Sequence, residues 1–195
     1  MRRFSLILAT MAVFCASAFA QFNYQNGTPA AVAVSKTEAG YQTVDLIANK
    51  TVTVEGTLRK GTLMESLSWA SRSTTACFPA TQNAKFNGNH VLFVTQMPPR
   101  SILKITVKPK NNGVNLSIYG YQLGLGRLVL PKDLSSCVSC EAEHKWDYPK
   151  KGKTQDDSRT ISLNTIANPY SVVVGVTGAN GLTDSDFTVE FSLEK

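Results

Sequence analysis

The chain has 195 residues, 43% of them hydrophobic and 17% charged, with a formal net charge of +6. This mild basic excess suits a solvated surface, an acidic polysaccharide or an anionic surface, and no nucleic-acid partner is expected. No apolar stretch approaches the ~20 residues that a membrane-spanning helix needs, so no transmembrane segment is expected in the mature chain.

The first twenty residues have three parts. Arg2 and Arg3 give a positive start, Phe4 to Phe14 form an apolar run broken by Ser5 and Thr10, and Ala18-Phe19-Ala20 is a small-x-small cleavage pattern. Together they predict a cleaved secretory signal over residues 1–20 and a mature chain from Gln21, in a secreted or periplasmic location. Phe14 stands where a lipid-anchored chain needs a small residue before its cysteine, so Cys15 is not expected to carry lipid. Loss of Arg2 and Arg3 lowers the formal net charge from +6 to +4. The roughly 175 residues left suit one domain with its own core.

Residues 21–40 are small and polar, with Asn26-Gly27 and Pro29, and read as a flexible leader. A single β-sandwich domain is expected over residues 41–195. Val44, Leu46, Val52 and Val54 alternate with polar neighbours, the period of a strand with one buried face. His90 to Thr95 contains the apolar run Val91-Leu92-Phe93-Val94 and stops at Pro98-Pro99. Ile102 to Val107 alternates, with Leu103, Ile105 and Val107 on the face expected to be buried. Asn111-Asn112-Gly113 reads as a hairpin turn into a strand over Val114 to Tyr121. Residues 131–158 read as a long excursion loop, holding two cysteines, Trp146 and a charged run. Strands resume at Thr160–Leu163 and Tyr170–Val176. The last, Phe187–Leu193, places Phe187, Val189, Phe191 and Leu193 on one face. No segment has a convincing helical period. The fold class expected is all-β, an antiparallel sandwich of jelly-roll-like form.

The passage Phe86-Asn87-Gly88-Asn89-His90-Val91-Leu92-Phe93, followed by Pro98-Pro99-Arg100-Ser101, Leu103-Lys104-Ile105-Thr106-Val107 and Val114-Asn115-Leu116-Ser117-Ile118-Tyr119, resembles the bacterial pre-peptidase C-terminal domains. Asn168 to Val176, with Phe187-Thr188-Val189, is similar to the end of that family. The resemblance covers about residues 50–195. It implies a jelly-roll-like sandwich and an accessory rather than catalytic role. The chain departs from the family in having Val114-Asn115-Leu116-Ser117 where commoner members carry Asp-x-Asp-Leu-Tyr. It also carries a cysteine loop that the resemblance does not explain, and no protease domain.

Export removes Cys15 and leaves Cys77, Cys137 and Cys140. An odd count in an oxidising compartment implies one disulfide among the three and one remaining thiol, with the pairing open. Cys137-Val138-Ser139-Cys140 has redox spacing but no βαβ context, and Glu141 follows where haem attachment needs histidine. The alternative for this loop is zinc, held by Cys77, Cys137, Cys140 and His144. Asp184 and Asp186 form a calcium candidate in a polar turn. Trp146 and Tyr148, beside Lys145, Lys150 and Lys151, form a candidate aromatic and basic platform for a ligand. No G-x-S-x-G and no phosphate loop appears, so no catalytic residue and no cofactor is assigned. The expected function is a non-catalytic binding or accessory module for a polysaccharide, cell-envelope or protein ligand. The alternatives are a zinc-binding exported protein and a hydrolase without a recognisable motif.

Mass spectrometry of the exported protein should find Gln21 as the first residue, one disulfide, one thiol and no zinc. An intact Met1 would overturn the export reading, and three thiols with one equivalent of zinc would overturn the cysteine reading.

Overall fold

The computed structural model describes residues 40–68, 80–133, 137–144 and 156–195. The expected signal peptide and all of the leader except Gly40 lie outside these residues. So do Cys77, Trp146, Tyr148 and the lysines at 145, 150 and 151.

Among the described residues, ten strands are arranged in two facing sheets. In chain order they are β1 (Tyr41–Thr43), β2 (Lys50–Thr57), β3 (Thr62–Leu63), β4 (Asn89–Met97), β5 (Ser101–Pro109), β6 (Leu116–Gly124), β7 (Ser139–Glu141), β8 (Arg159–Thr165), β9 (Tyr170–Gly178) and β10 (Asp186–Glu194). The first sheet has the order β1-β4-β9-β6-β7, with β3 also paired to β4. Only β1, against β4, is parallel among its pairings. The second sheet, β2-β10-β5-β8, is antiparallel throughout. The β-sandwich expected from the alternation is therefore the fold.

The two sheets differ in a way their sequences explain. In the second sheet burial alternates: Phe187, Val189, Phe191 and Leu193 of β10 are buried, as are Leu103, Ile105 and Val107 of β5, with partly or fully exposed residues between them. One face meets the core and the other meets water. In the first sheet β4, β6 and β9 are buried almost continuously. The unbroken apolar runs Val91–Val94 and Val172–Val174 demand that both faces be covered. Val91, Phe93, Ile118, Val172, Val174 and Val176 face the second sheet. Leu92, Val94, Tyr119, Tyr121 and Val173 face outward, into a second cluster with Tyr41, Phe86, Cys137 and Ala142.

Two sequence expectations are corrected. The Asn111–Gly113 turn, with Gly113 at φ +78°, reverses the chain but does not make a hairpin. β5 pairs with β10 and β8, whereas β6 pairs with β9 and β7, so the chain crosses between sheets at that turn. The same crossing occurs after Pro98-Pro99 and again after Gly178. Nor is 131–158 wholly a loop: Ser139–Glu141 adds β7 to the edge of the first sheet, beside β6. Cys137, Ala142 and His144 are buried beside it.

Phe93 bridges the two layers. Its ring lies edge-on to Phe187 and Phe191 of β10, with centroids 6.5 Å and 6.0 Å away. All three residues are fully buried. Phe191→Ala should therefore lower the unfolding free energy by about 3–5 kcal/mol in urea denaturation. A loss below about 1 kcal/mol, the level of a surface change, would show that this contact does not hold the layers together.

Candidate functional site

The sequence-read candidates do not converge. Asp184 and Asp186 stand together as expected, but their carboxylates hold Arg59 instead of an open cation site. The guanidinium nitrogens donate to Asp184 Oδ1 at 2.6 Å and to Asp186 Oδ1 at 3.0 Å. This double ion pair ties the turn after β2 to the start of β10. In the cysteine loop Cys137 keeps a thiol. The C-x-x-C pair therefore does not close on itself. Cys137 Sγ donates to the carbonyls of Gly120 at 3.3 Å and Ser139 at 3.0 Å. Burial pushes its pKa up to about 12, so it is not a thiolate at neutral pH. Among the described residues, no three His, Cys, Asp or Glu side chains are grouped to hold a metal ion.

His144 faces Ser117, and both are fully buried. The geometry decides their chemistry. The single Ser117 hydroxyl proton goes to the Lys85 carbonyl, 2.7 Å away. The 3.0 Å contact with His144 Nε2 must then run the other way, with the ring N–H donating to Oγ. A general base would have to offer that hydroxyl a lone pair. This pair is therefore a structural anchor between β6 and the outer layer, not a nucleophile and its base.

His90, read from the sequence as a strand-end residue, is buried on the outer face of the first sheet. The Phe86 carbonyl only accepts, so His90 Nε2 carries the proton (2.9 Å), and Nδ1 accepts from the Tyr119 hydroxyl (2.9 Å). Tyr119 lies flat on Gly175, its direct partner on β9; a Cβ there would stand 1.9 Å from Tyr119 Cζ. Burial, reinforced by the neighbouring Tyr121, lifts the Tyr119 pKa well above the ordinary phenol range. Burial also lowers that of His90 to about 4, against a smaller opposing effect of the Phe86 carbonyl.

The open feature of the molecule is a cleft of about 1480 Å³ along one flank of the sandwich. Thr53 to Thr57 of β2 line one side. Gln42 of β1, Thr62 and Leu63 of β3, the following Met64 and His90–Leu92 of β4 line the other. Lys60, Lys110, Lys132, Glu55, Glu65 and Asp186 supply its charges. None of this was visible as a motif: the Thr-Val-Thr-Val run of β2 reads like any half-buried strand. The cleft arises because the edges of two sheets meet there.

Protonating His90 would break its bond with Tyr119 and place a charge in an apolar layer. The unfolded chain takes up that proton near the ordinary histidine pKa of 6.5, and the folded chain only near 4. Stability contributed by the neutral ring is thus complete above about pH 6.5 and is lost as pH falls towards 4. Between pH 7 and pH 4.5 the wild type should lose about 2.5 kcal/mol more than a His90→Gln variant in urea denaturation. Parallel losses in the two proteins would show that His90 does not resist protonation.

No protein-family model matches the chain, and no curated protein matches it. Several solved structures are similar to it at low identity, among them the following three. The pre-peptidase C-terminal domain of collagenase from Bacillus anthracis is 10% identical, with TM-score 0.38, over 78% of this chain and 95% of that one. PliG of Aeromonas hydrophila, a periplasmic inhibitor of g-type lysozyme, is 6% identical, with TM-score 0.39, over 77% and 95%. CorA, a surface-associated copper-binding protein of Methylomicrobium album BG8, is 10% identical, with TM-score 0.42, over 79% and 98%. At these scores no ligand, partner or activity passes from those proteins to this chain.

Proposed function

We propose that this chain is an exported, non-catalytic binding module, secreted or periplasmic, that holds a segment of a polysaccharide, an envelope component or a protein in the cleft beside β2. The cleft carries this reading. Its volume of about 1480 Å³ exceeds the roughly 300–1,000 Å³ typical of small-molecule pockets, and its form suits a length of polymer. Its walls mix apolar surface with polar edges, as ligand sites do: Leu63 and Leu130 are exposed there, beside the backbone of β2. Some of the ionisable groups on its walls are held in ion pairs. Glu55 is paired with Lys110, and Asp186 with Arg59. The Ser117–His144 contact gives no nucleophile, for the reason of proton direction set out above. The aromatic and basic platform at Lys145–Lys151 is a further proposed contact surface of the same module.

The test is to titrate the mature protein with alginate, with soluble peptidoglycan fragments and with a random peptide library. Binding to at least one of these should shift the amide resonances of Thr53–Thr57 and Leu63–Ser66. A Leu63→Asp, Leu130→Asp double variant should keep its melting temperature and bind roughly tenfold more weakly, as expected for lost apolar contact in a bound interface. Unchanged affinity in that variant, or turnover of any of the three probes, would overturn the proposal.

A further inference from the structure

The sequence holds four Asn-Gly pairs, at 26–27, 87–88, 112–113 and 180–181, and the last three lie among the described residues. An asparagine before glycine can close on its own backbone. The glycine nitrogen attacks the side-chain amide carbon, and glycine has no Cβ to obstruct the approach. Whether the reaction runs depends on what holds the carboxamide and on what takes the proton of the attacking nitrogen. These two conditions separate the three pairs.

In Asn87-Gly88 both groups are committed. Gly88 is buried, and its N–H donates to Gly178 O at 2.9 Å. Backbone packs against it so closely that a Cβ would stand 2.1 Å from Leu182 O. The Asn87 carboxamide oxygen accepts from Gly181 N–H at 2.7 Å. That same bond occupies the attacking nitrogen of Asn180-Gly181, and a neutral amide oxygen does not take up its proton. Asn180 is also tied to Ala84 O through its own N–H at 2.7 Å.

Asn112-Gly113 is arranged differently. Both residues are exposed, and nothing lies within 4 Å of where a Gly113 Cβ would stand. The Gly113 N–H donates to Asp157 Oδ2 at 2.9 Å. The N–H lies in the peptide plane, whereas the nitrogen orbital that forms a new bond stands perpendicular to it. The carboxylate can therefore take the proton while Asn112 Cγ approaches from the face.

We propose that Asn112-Gly113 is a self-modification site, deamidating through a succinimide with Asp157 as the base. The Gly113 nitrogen bonds to Asn112 Cγ as its proton passes to the Asp157 carboxylate. The tetrahedral carbon then expels its amino group, which takes that proton and leaves as ammonia. Water opens the cyclic imide at either carbonyl and gives aspartate or isoaspartate at position 112. The isoaspartate product carries one more methylene in the backbone, at the turn by which the chain crosses between the sheets. Asn112, Gly113 and Asp157 do not line the cleft, so this site stands apart from the binding reading.

The test is to age the mature protein in neutral buffer, digest it, and follow each asparagine by mass spectrometry, scoring isoaspartate separately. Asn112 should convert first of the three, while Asn87 and Asn180 stay intact as long as the fold holds. Asp157→Asn keeps an acceptor for the Gly113 N–H but removes the base, and should slow conversion of Asn112 by about tenfold or more. Asp157→Glu, which keeps a carboxylate, should age faster than Asp157→Asn. In urea-unfolded chains Asp157→Asn should have no effect, because the base is brought to the turn only by the fold. Faster conversion of Asn87 or Asn180 than of Asn112 in the folded protein overturns the proposal. So does a folded Asp157→Asn variant that ages as fast as wild type or faster, since the carboxylate would then only restrain the turn. Equal rates in Asp157→Asn and Asp157→Glu overturn it as well.

Discussion

The first sheet must be buried on both faces, and most of the structure follows from that requirement. β4, β6 and β9 present apolar side chains to either side. One set meets the second sheet; the other cannot be left in water without exposing Leu92, Val94, Tyr119, Tyr121 and Val173 together. The chain covers them with Tyr41, the 80–88 passage, the connection after β6 and the segment around β7. Tyr41 shows how the cover is fastened: its ring is buried in the cluster while its hydroxyl donates to Val129 O at 2.7 Å.

A cover made of irregular backbone brings polar groups into a dry layer, where each needs a partner. That explains the two buried histidines better than catalysis does. His90 joins the Phe86 carbonyl to the Tyr119 hydroxyl, and His144 joins the outer segment to Ser117, which in turn reaches Lys85 O. The His90 ring is a two-ended connector whose tautomer is set by what its neighbours can accept. The Cys137 thiol behaves similarly, directed to the carbonyls of Gly120 and Ser139. Titratable residues gather here because the layer is built from loops, and burial favours the neutral forms of His90, Tyr119, Tyr121 and Cys137.

The second sheet has the opposite character. Wet on one face, it is held along its rim by charge pairs: Arg59 with Asp184 and Asp186, Lys110 with Glu55, and Lys108 with Glu190 at 2.7 Å. These exposed pairs contribute little stability individually. Their larger consequence is local: Arg59 ties the turn after β2 to the start of β10, and Lys110 ties Glu55 of β2 to the end of β5. The cleft lies where the β2 edge of this sheet faces β1, β3 and β4 of the other.

Period-two patterning is local, and so β4, β5, β6, β8, β9 and β10 could be read from the residues. Leu103, Ile105, Val107, Phe187, Val189 and Phe191 lie where alternation placed them. Pairing is not local. The Asn111–Gly113 turn carries the chemistry of a reversal, but nothing in those residues says whether the next strand lies beside the last or across the core; the long-range pairings β5–β10 and β6–β9 decide it. β7 was hidden because three residues show no period, and they become a strand only when β6 offers an edge. Asp184 and Asp186 looked like a cation site because Arg59, the cation that holds them, is more than a hundred residues away in the chain. The cleft had no signature at all: an edge is a property of what fails to pair, and strand order, set by the packing of the whole chain, leaves β2 on the outside.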